Sequence, residues 1–369
     1  MQSPDLHIIS FAVPYPARYG GAIDVWNRVR AISRAGIRIH LHCFVYDQFT
    51  PDPLIDEVVE AVYYFPRVVW PSILSVGQPY IVTSRKCSQL LDRLKADQAP
   101  ILFEGVHTTG FVSELTGRTL LLRAHNIEHH YYSELAEGTS GMKSLLFRRE
   151  SLCLAEYETR WAGAFNQVFA ISPHDKEWYA AHGAKTTFLP PFHGIQEADN
   201  LLGRGEYILY QGDLSIDINQ HAVLDLMRRL PSMPGYPIVI AGRAGDKAFE
   251  DKLASFPNLR RCPDVLPQEM HDLIRKAQVI LIHSLHGSGM KLKLFPALYH
   301  GRFVASTPSG LTHTRLDNAM VVYEKEQLAQ VIETLWQKEF TAEMMHQRRA
   351  DLALLPDDDE KAKEIIRYL

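Results

Sequence analysis

The chain has 369 residues, 46% hydrophobic and 22% charged, with a formal net charge of -4. That length favours two or three domains over a single core, and the balance of charge gives no general attraction to nucleic acid or anionic lipid. Residues 1 to 15 carry Asp5 and His7 where a leader would have a basic start and an apolar run, and no stretch approaches the ~20 apolar residues of a membrane span, so a cytoplasmic location is expected. Cys43, Cys87, Cys153 and Cys262 have neither the paired spacing of a zinc site nor the density of a disulfide scaffold, and read as buried, reduced fillers.

Taken in order, Leu6 to Val13 (LHIISFAV) is an apolar run that ends in PYPARYGG. Ala22, Val25, Val29 and Ile32 then have helical spacing with a stop at Gly36, and IRIHLHCFV follows as a strand. Such a unit puts Gly20 and Gly21 at the carboxyl end of the first strand, where ligands bind in open parallel sheets and a side chain would block close backbone approach. The pattern is not the G-x-G-x-x-G fingerprint, so NAD is not indicated. Between Asp47 and Gln98, VVEAVYYFPR reads as a strand and SRKCSQLLDRLKADQ as an amphipathic helix. PILFEGV and TLLLRA are strands that lead into His107 and His125, and His107 either faces a bound molecule or caps its strand. From Ser140 to Trp161, Leu145, Leu146, Leu152, Leu154 and Tyr157 recur at helical spacing, with the RRE cluster turned to solvent. QVFAIS is a further strand, and Ser172 is placed to cap the helix that follows.

The prolines and glycines of FLPPFHGIQEADNLLGRGE set a domain boundary near residues 190 to 206, giving domains 1–195 and 206–369. The second half repeats the grammar of the first: YILYQGDL, then NQHAVLDLMRRLP, then YPIVIAGRAG and QVILIHSL. After His283 come Gly287, Ser288, Gly289, Met290, Lys291 and Lys293, a glycine turn with two lysines before a short helix and the strand FVAST. Backbone N–H groups, a helix N-terminus and two ammonium groups make a site for phosphate oxygens, although a plain strand-to-helix turn with solvated lysines has the same pattern. The closing helix begins with three aspartates, as the macrodipole prefers, and needs no metal. Alternating strands and helices imply an α/β fold of two Rossmann-like domains facing one another across a cleft, lined by Gly20, Gly21, His107, His125, Gly212, Arg243 and the lysine turn.

Together FAVPYPARYGG, LLLRAHNIEHHYYSELA, FAISPHD, ILYQGDL and GSGMKLKLFPALYHGRFVAST resemble the retaining nucleotide-sugar glycosyltransferases of GT-B fold, of the bacterial surface-polysaccharide type. The resemblance implies a hexosyl transfer from a nucleotide diphosphate-sugar to a glycan or glycolipid hydroxyl, with no metal and no cofactor. It implies that Gly20 and Gly21 lie under the diphosphate and sugar, that His125 contacts the donor sugar, and that Lys291 or Lys293 neutralises the departing diphosphate. Any membrane contact would be peripheral, and no nucleic acid partner is implied. Three departures stand out: Pro296 occupies the place of a ribose-binding glutamate, His286 that of an acid before the turn, and GDLSIDIN lacks the usual arginine and lysine. Proline cannot accept ribose hydroxyls, which leaves Arg243, Glu324 or Lys325 for the donor, or else a protein that has lost catalysis and serves as a partner subunit. Two smaller alternatives are a zinc peptidase using HNIEH as H-x-x-E-H, and an epimerase with Glu104 and Glu128 as its nearest carboxylates.

Overall fold

The computed structural model describes residues 4–17, 19–46, 49–68, 77–230, 235–256, 258–285, 291–311 and 319–369. The chain divides into two compact units, Met1–Gly194 with Pro356–Leu369, and Ile195–Leu355.

The described strands of the first unit are β1 (Asp5–Ser10), β2 (Arg38–Val45), β3 (Ala61–Pro66), β4 (Ile101–Glu104), β5 (Leu120–Ala124), β6 (Gln167–Ala170) and β7 (Thr186–Phe188). They form one parallel sheet in the order β3-β2-β1-β4-β5-β6-β7. Every residue of β4, β5 and β6 is buried, the pattern of strands covered on both faces. The helices are α1 (Gly20–Arg34), α2 (Pro53–Asp56), α3 (Tyr80–Thr83), α4 (Ser88–Leu94), α5 (Glu128–Glu137), α6 (Gly141–Trp161) and α7 (Pro173–Ala181). Helix α1 buries Val25, Trp26, Val29 and Ile32 and stops at Gly36, whose φ of 88° suits a residue without Cβ. Ser172 caps α7 as its sequence predicts, accepting from Asp175 N at 3.0 Å.

Helix α6 runs over the predicted span, and Leu154 is buried as its spacing predicts, but the other three leucines and Glu150 change places. Leu145, Leu146 and Leu152 are 60%, 49% and 75% exposed, whereas Glu150 and Glu158 are buried. The reason is capping at a distance. Glu150 accepts from Tyr80 N and Ile81 N at 2.9 and 2.8 Å at the start of α3, and Glu158 accepts from Glu128 N and His129 N at 2.8 and 3.0 Å at the start of α5.

The second unit repeats the order around β8 (Ile208–Gln211). Its strands β9 (Ile238–Gly242), β10 (Leu259–Pro263), β11 (Val279–Ile282), β12 (Phe303–Ser306) and β13 (Val321–Val322) give a parallel sheet β10-β9-β8-β11-β12-β13. Its helices are α8 (Asp217–Arg229), α9 (Lys247–Ala254), α10 (Pro267–Lys276), α11 (Leu294–His300), α12 (Pro308–Leu311), α13 (Leu328–Trp336) and α14 (Ala342–Leu352). In both units the order reverses beside the first strand, at β1/β4 and at β8/β11, and this is where open α/β sheets receive ligands.

The last helix, α15 (Asp358–Ile366), is expected with the second domain from its place in sequence but belongs to the first unit. Ala362 and Ile365 enter the same core cluster as Val25, Val29 and Ile32 of α1. The buried Lys361 ammonium donates to Pro191 O at 2.6 Å, and Asp358 accepts from Gly194 N at 2.8 Å. These bonds satisfy a stretch of backbone that would otherwise leave the unit with unpaired groups.

Candidate active site

The end of β1 carries Phe11, and three of the predicted residues gather around it. A Cβ on Gly21 would stand 3.0 Å from the Phe11 ring, so glycine permits this approach. The rings of His107 and His125 lie with centroids 5.3 and 5.4 Å from Phe11. Arg85 fixes the loop, donating to Phe11 O at 3.0 Å. Gly20 is the first residue of α1, whose first turn has no acidic residue and no side-chain cap.

Beneath this surface is a buried charge network. Arg28 of α1 donates to Asp24 at 2.8 Å and, through both Nε and Nη2, to Glu104 at the end of β4. Arg123 of β5 donates to Asp24 at 3.1 and 3.2 Å, and Phe192 N donates to it at 2.7 Å. Burial would raise both carboxyls, but Arg123, Arg28 and His125 outweigh it at Asp24, and Arg28 and His125 at Glu104, and hold both below their ordinary values. Glu104 is therefore an acceptor only, so His125 Nε2 donates to it, at 2.9 Å. His125 Nδ1 lies 3.6 Å from Asp24 Oδ2. The ring, 9% exposed at its side chain, is held from behind at the carboxyl end of β5.

Sequence reasoning named Glu128 for the zinc and epimerase alternatives but missed that it faces His107. Glu128 Oε1 is 4.0 Å from His107 Nδ1, a buried nitrogen without a hydrogen-bond partner. Burial and the neighbouring Glu158 push the Glu128 carboxyl up to about 8, and burial keeps His107 well below the usual histidine value. A neutral acid thus faces a neutral base across 4.0 Å, beyond hydrogen-bond reach. The signal lay in EHHYY, where an acid begins a helix otherwise rich in rings.

The zinc reading of HNIEH is overturned by geometry. His125 follows β5 and precedes α5, so it shares no helical face with His129, and His129 Nδ1 is 2.7 Å from Glu158, a different carboxylate from the partner of His125. Among the described residues, Asp199, His271 and His300 are the group whose ligand atoms lie within 4.8 Å of one another. Its carboxylate already meets His300 at 2.5 Å and Arg275 at 3.3 Å, and His300 is at the far end of α11 from Lys293.

In the second unit, Gly287, Ser288, Gly289 and Met290 lie outside the described residues, as does His286. Lys291 and Lys293 precede α11. The Lys293 ammonium sits 4.4 Å over the ring of the fully buried Tyr210 and donates to Gln211 O at 3.3 Å. Burial, with Lys291 beside it, pushes its pKa down to about 7. Gly212 ends the strand segment that carries these groups, and a Cβ on Gly242, where φ is 120°, would overlap its carbonyl oxygen. Arg243 follows, exposed, with Nη1 4.0 Å from Asp213. Pro296 occupies the third position of α11, where the N–H has no helical partner and proline costs nothing. His283 is structural: it pairs with Asp225 and Tyr323, both at 2.9 Å.

With this geometry in hand, the chain has the GT-B fold: two parallel-sheet α/β units, as in solved glycosyltransferases. Sucrose-phosphate synthase of Thermosynechococcus elongatus is 12% identical with a TM-score of 0.71, covering 99% of this chain and 98% of that one. The α,α-trehalose 6-phosphate synthase of Burkholderia multivorans is 11% identical with a TM-score of 0.61, covering 100% and 98%. TarM gives 9% and 0.63, covering 99% and 98%. In sequence the chain is 22% identical, over 82% of either protein, to an uncharacterized 44.6 kDa protein in the cps region of Klebsiella pneumoniae. No family model matches the chain. Among the described residues no helix is long and apolar enough to cross a membrane.

Proposed function

We propose that the protein is a glycosyltransferase that moves a sugar from a nucleotide diphosphate-sugar to a hydroxyl of a glycan or glycolipid, with retention at the anomeric carbon and without a metal. One observation carries this: in a fold built on two Rossmann-type sheets, His125 is delivered at a strand end against Phe11, the ring that Gly21 also approaches, and is held by Glu104, which Arg28 holds in turn. In the proposed reaction His125 contacts the donor sugar near its reacting carbon. Lys291, Lys293 and the glycine turn neutralise the diphosphate as its bond to the sugar breaks. The acceptor oxygen bonds to that carbon, and its proton passes to the departing phosphate. The cps-region relative supports a polysaccharide setting for the acceptor. Glu104 is fully engaged by Arg28 and His125, which argues against the epimerase reading.

Thermal unfolding against a panel of nucleotide-sugars, with and without chelator, tests the proposal. A donor at 100 times its dissociation constant adds about 2.7 kcal/mol to the folded state. A chelator-insensitive shift is expected, together with transfer that His125→Asn abolishes while the shift remains; unchanged turnover in that variant would overturn the assignment. A second reading, a partner subunit without turnover, is favoured by Pro296, which removes a carboxylate from the first turn of α11. It predicts no shift with any nucleotide-sugar.

A further inference from the structure

The connections that leave the first sheet at its ligand-binding edge carry two guanidinium groups that meet no carboxylate. Phe11 follows β1, Tyr46 follows β2, Arg67 follows β3 and His107 comes shortly after β4, so all four stand at carboxyl ends of parallel strands. Arg85, just after α3, reaches into this edge. It is 5% exposed and donates through Nε to Phe11 O at 3.0 Å, through Nη1 to Ile81 O at 2.7 Å and through Nη2 to the Tyr46 hydroxyl at 3.0 Å. Arg67 lies 5.2 Å over the same Tyr46 ring and 4.9 Å over that of Tyr80, and its Nε donates to Ser84 Oγ at 3.1 Å. Every one of these partners is neutral. By contrast, Arg28 and Arg123 of the same unit both meet Asp24.

The acids nearby do not fill the place. Glu150 feels the Arg67 charge, but its oxygens accept from the amides of Tyr80 and Ile81 and burial raises its carboxyl. Glu128 feels Arg85 more weakly still and, with its pKa pushed up to about 8, holds a proton at neutral pH. Among the described residues no carboxylate lies within 4.0 Å of either guanidinium. Burial and the like charge of Arg67 both disfavour the Arg85 cation, and an anion beside the two would offset both. Arg85 has used three of its five N–H groups, and Tyr46, which both arginines touch, is 53% exposed, so the place opens to solvent. A planar fork of this kind fits a carboxylate or a phosphate.

We infer that Arg67 and Arg85 bind an acidic group, a carboxylate or a phosphate carried on a sugar of the acceptor, and so select an acidic glycan over a neutral one. Calling the ligand an acceptor rests on the transferase reading, which gives the donor's diphosphate to the lysine turn of the second unit. Calorimetric titration of the full-length protein with glucuronic acid, with glucose 6-phosphate and with glucose tests it. Saturable binding of an acid sugar is expected, weakening with salt, and glucose is expected not to bind; the acid that binds tells carboxylate from phosphate. Arg67→Gln should weaken that binding by about tenfold or more while the melting temperature stays within about 3 °C of wild type. Arg85→Lys keeps the charge but loses the fork, and should weaken it as well. Equal affinity for glucose, or unchanged affinity in Arg67→Gln, would overturn the inference. Saturable binding of neither acid sugar would also overturn it and leave Arg85 a clamp on the Phe11 loop. Competition by a nucleoside diphosphate would assign the cations to the donor instead. Donor binding is read separately by the nucleotide-sugar panel, so an intact donor shift without acid-sugar binding refutes this inference and not the transferase.

Discussion

The two strand-end regions treat charge in opposite ways. In the first unit two arginines and two carboxylates are buried together and cancel, leaving His125 held but chemically available. In the second unit Lys293 is packed against Tyr210 and a carbonyl oxygen, neutral groups that, among the described residues, leave its charge uncompensated. A completed network is a scaffold, whereas a cation held by neutral groups carries a desolvation cost that an anion would offset.

Breaking the scaffold is expected to have the largest effect. Arg28→Met leaves Glu104 with His125 and Asp24 with Arg123, a buried network short of one cation, and should cost about 3–5 kcal/mol in chemical denaturation, with loss of activity in whatever remains folded. Gly242→Ala comes next. Its φ of 120° and the Gly212 carbonyl in its way should cost about 2 kcal/mol and weaken nucleotide-sugar binding at the second site.

Glu128 sharpens the contrast through pH. Its carboxyl stands at about 8 in the folded protein, so the native state holds a proton that the unfolded chain releases. The contribution is present below the ordinary glutamate value and is lost as pH rises through about 8. Glu128→Gln should remove this slope and stabilise the protein by on the order of 2 kcal/mol at alkaline pH, read as melting temperature against pH. Lys293→Met should have the smallest effect on stability, within about 1 kcal/mol of wild type, because it replaces an unpaired buried charge. The same residue governs a binding signature. With a pKa near 7 in the free protein, Lys293 must be protonated to meet a diphosphate, so affinity for a nucleotide-sugar should fall by up to about tenfold per pH unit above neutrality, and Lys293→Met should flatten that fall.

Much of this architecture was legible in the chain. Buried parallel strands are continuous apolar runs, so β1, β4, β5, β6, β8 and β11 declare themselves, and the approach at Gly21 and the strand-end position of His125 follow from them. What was hidden depends on partners far away in sequence. Periodicity says that Leu145 and Leu152 share a face, but which face is covered depends on the starts of α3 and α5, whose amides draw Glu150 and Glu158 inward. Arg28 reads as an ordinary polar position of a surface helix until Glu104, 76 residues on, folds against it. That Lys293 is buried is hidden for the same reason, since Tyr210 lies 83 positions before it. Helix α15 reads as an appendage of the preceding domain because connections are usually local.

That helix sets the order in which the molecule can be finished during synthesis. Residues Ile195–Leu355 form a continuous unit that can complete its core while the chain is still being extended. The earlier segment cannot, because the pocket for Ala362 and Ile365 beside α1 and the carbonyl that Lys361 satisfies stay open until Pro356–Leu369 has left the ribosome. The half of the protein that is translated first is thus the half that closes last.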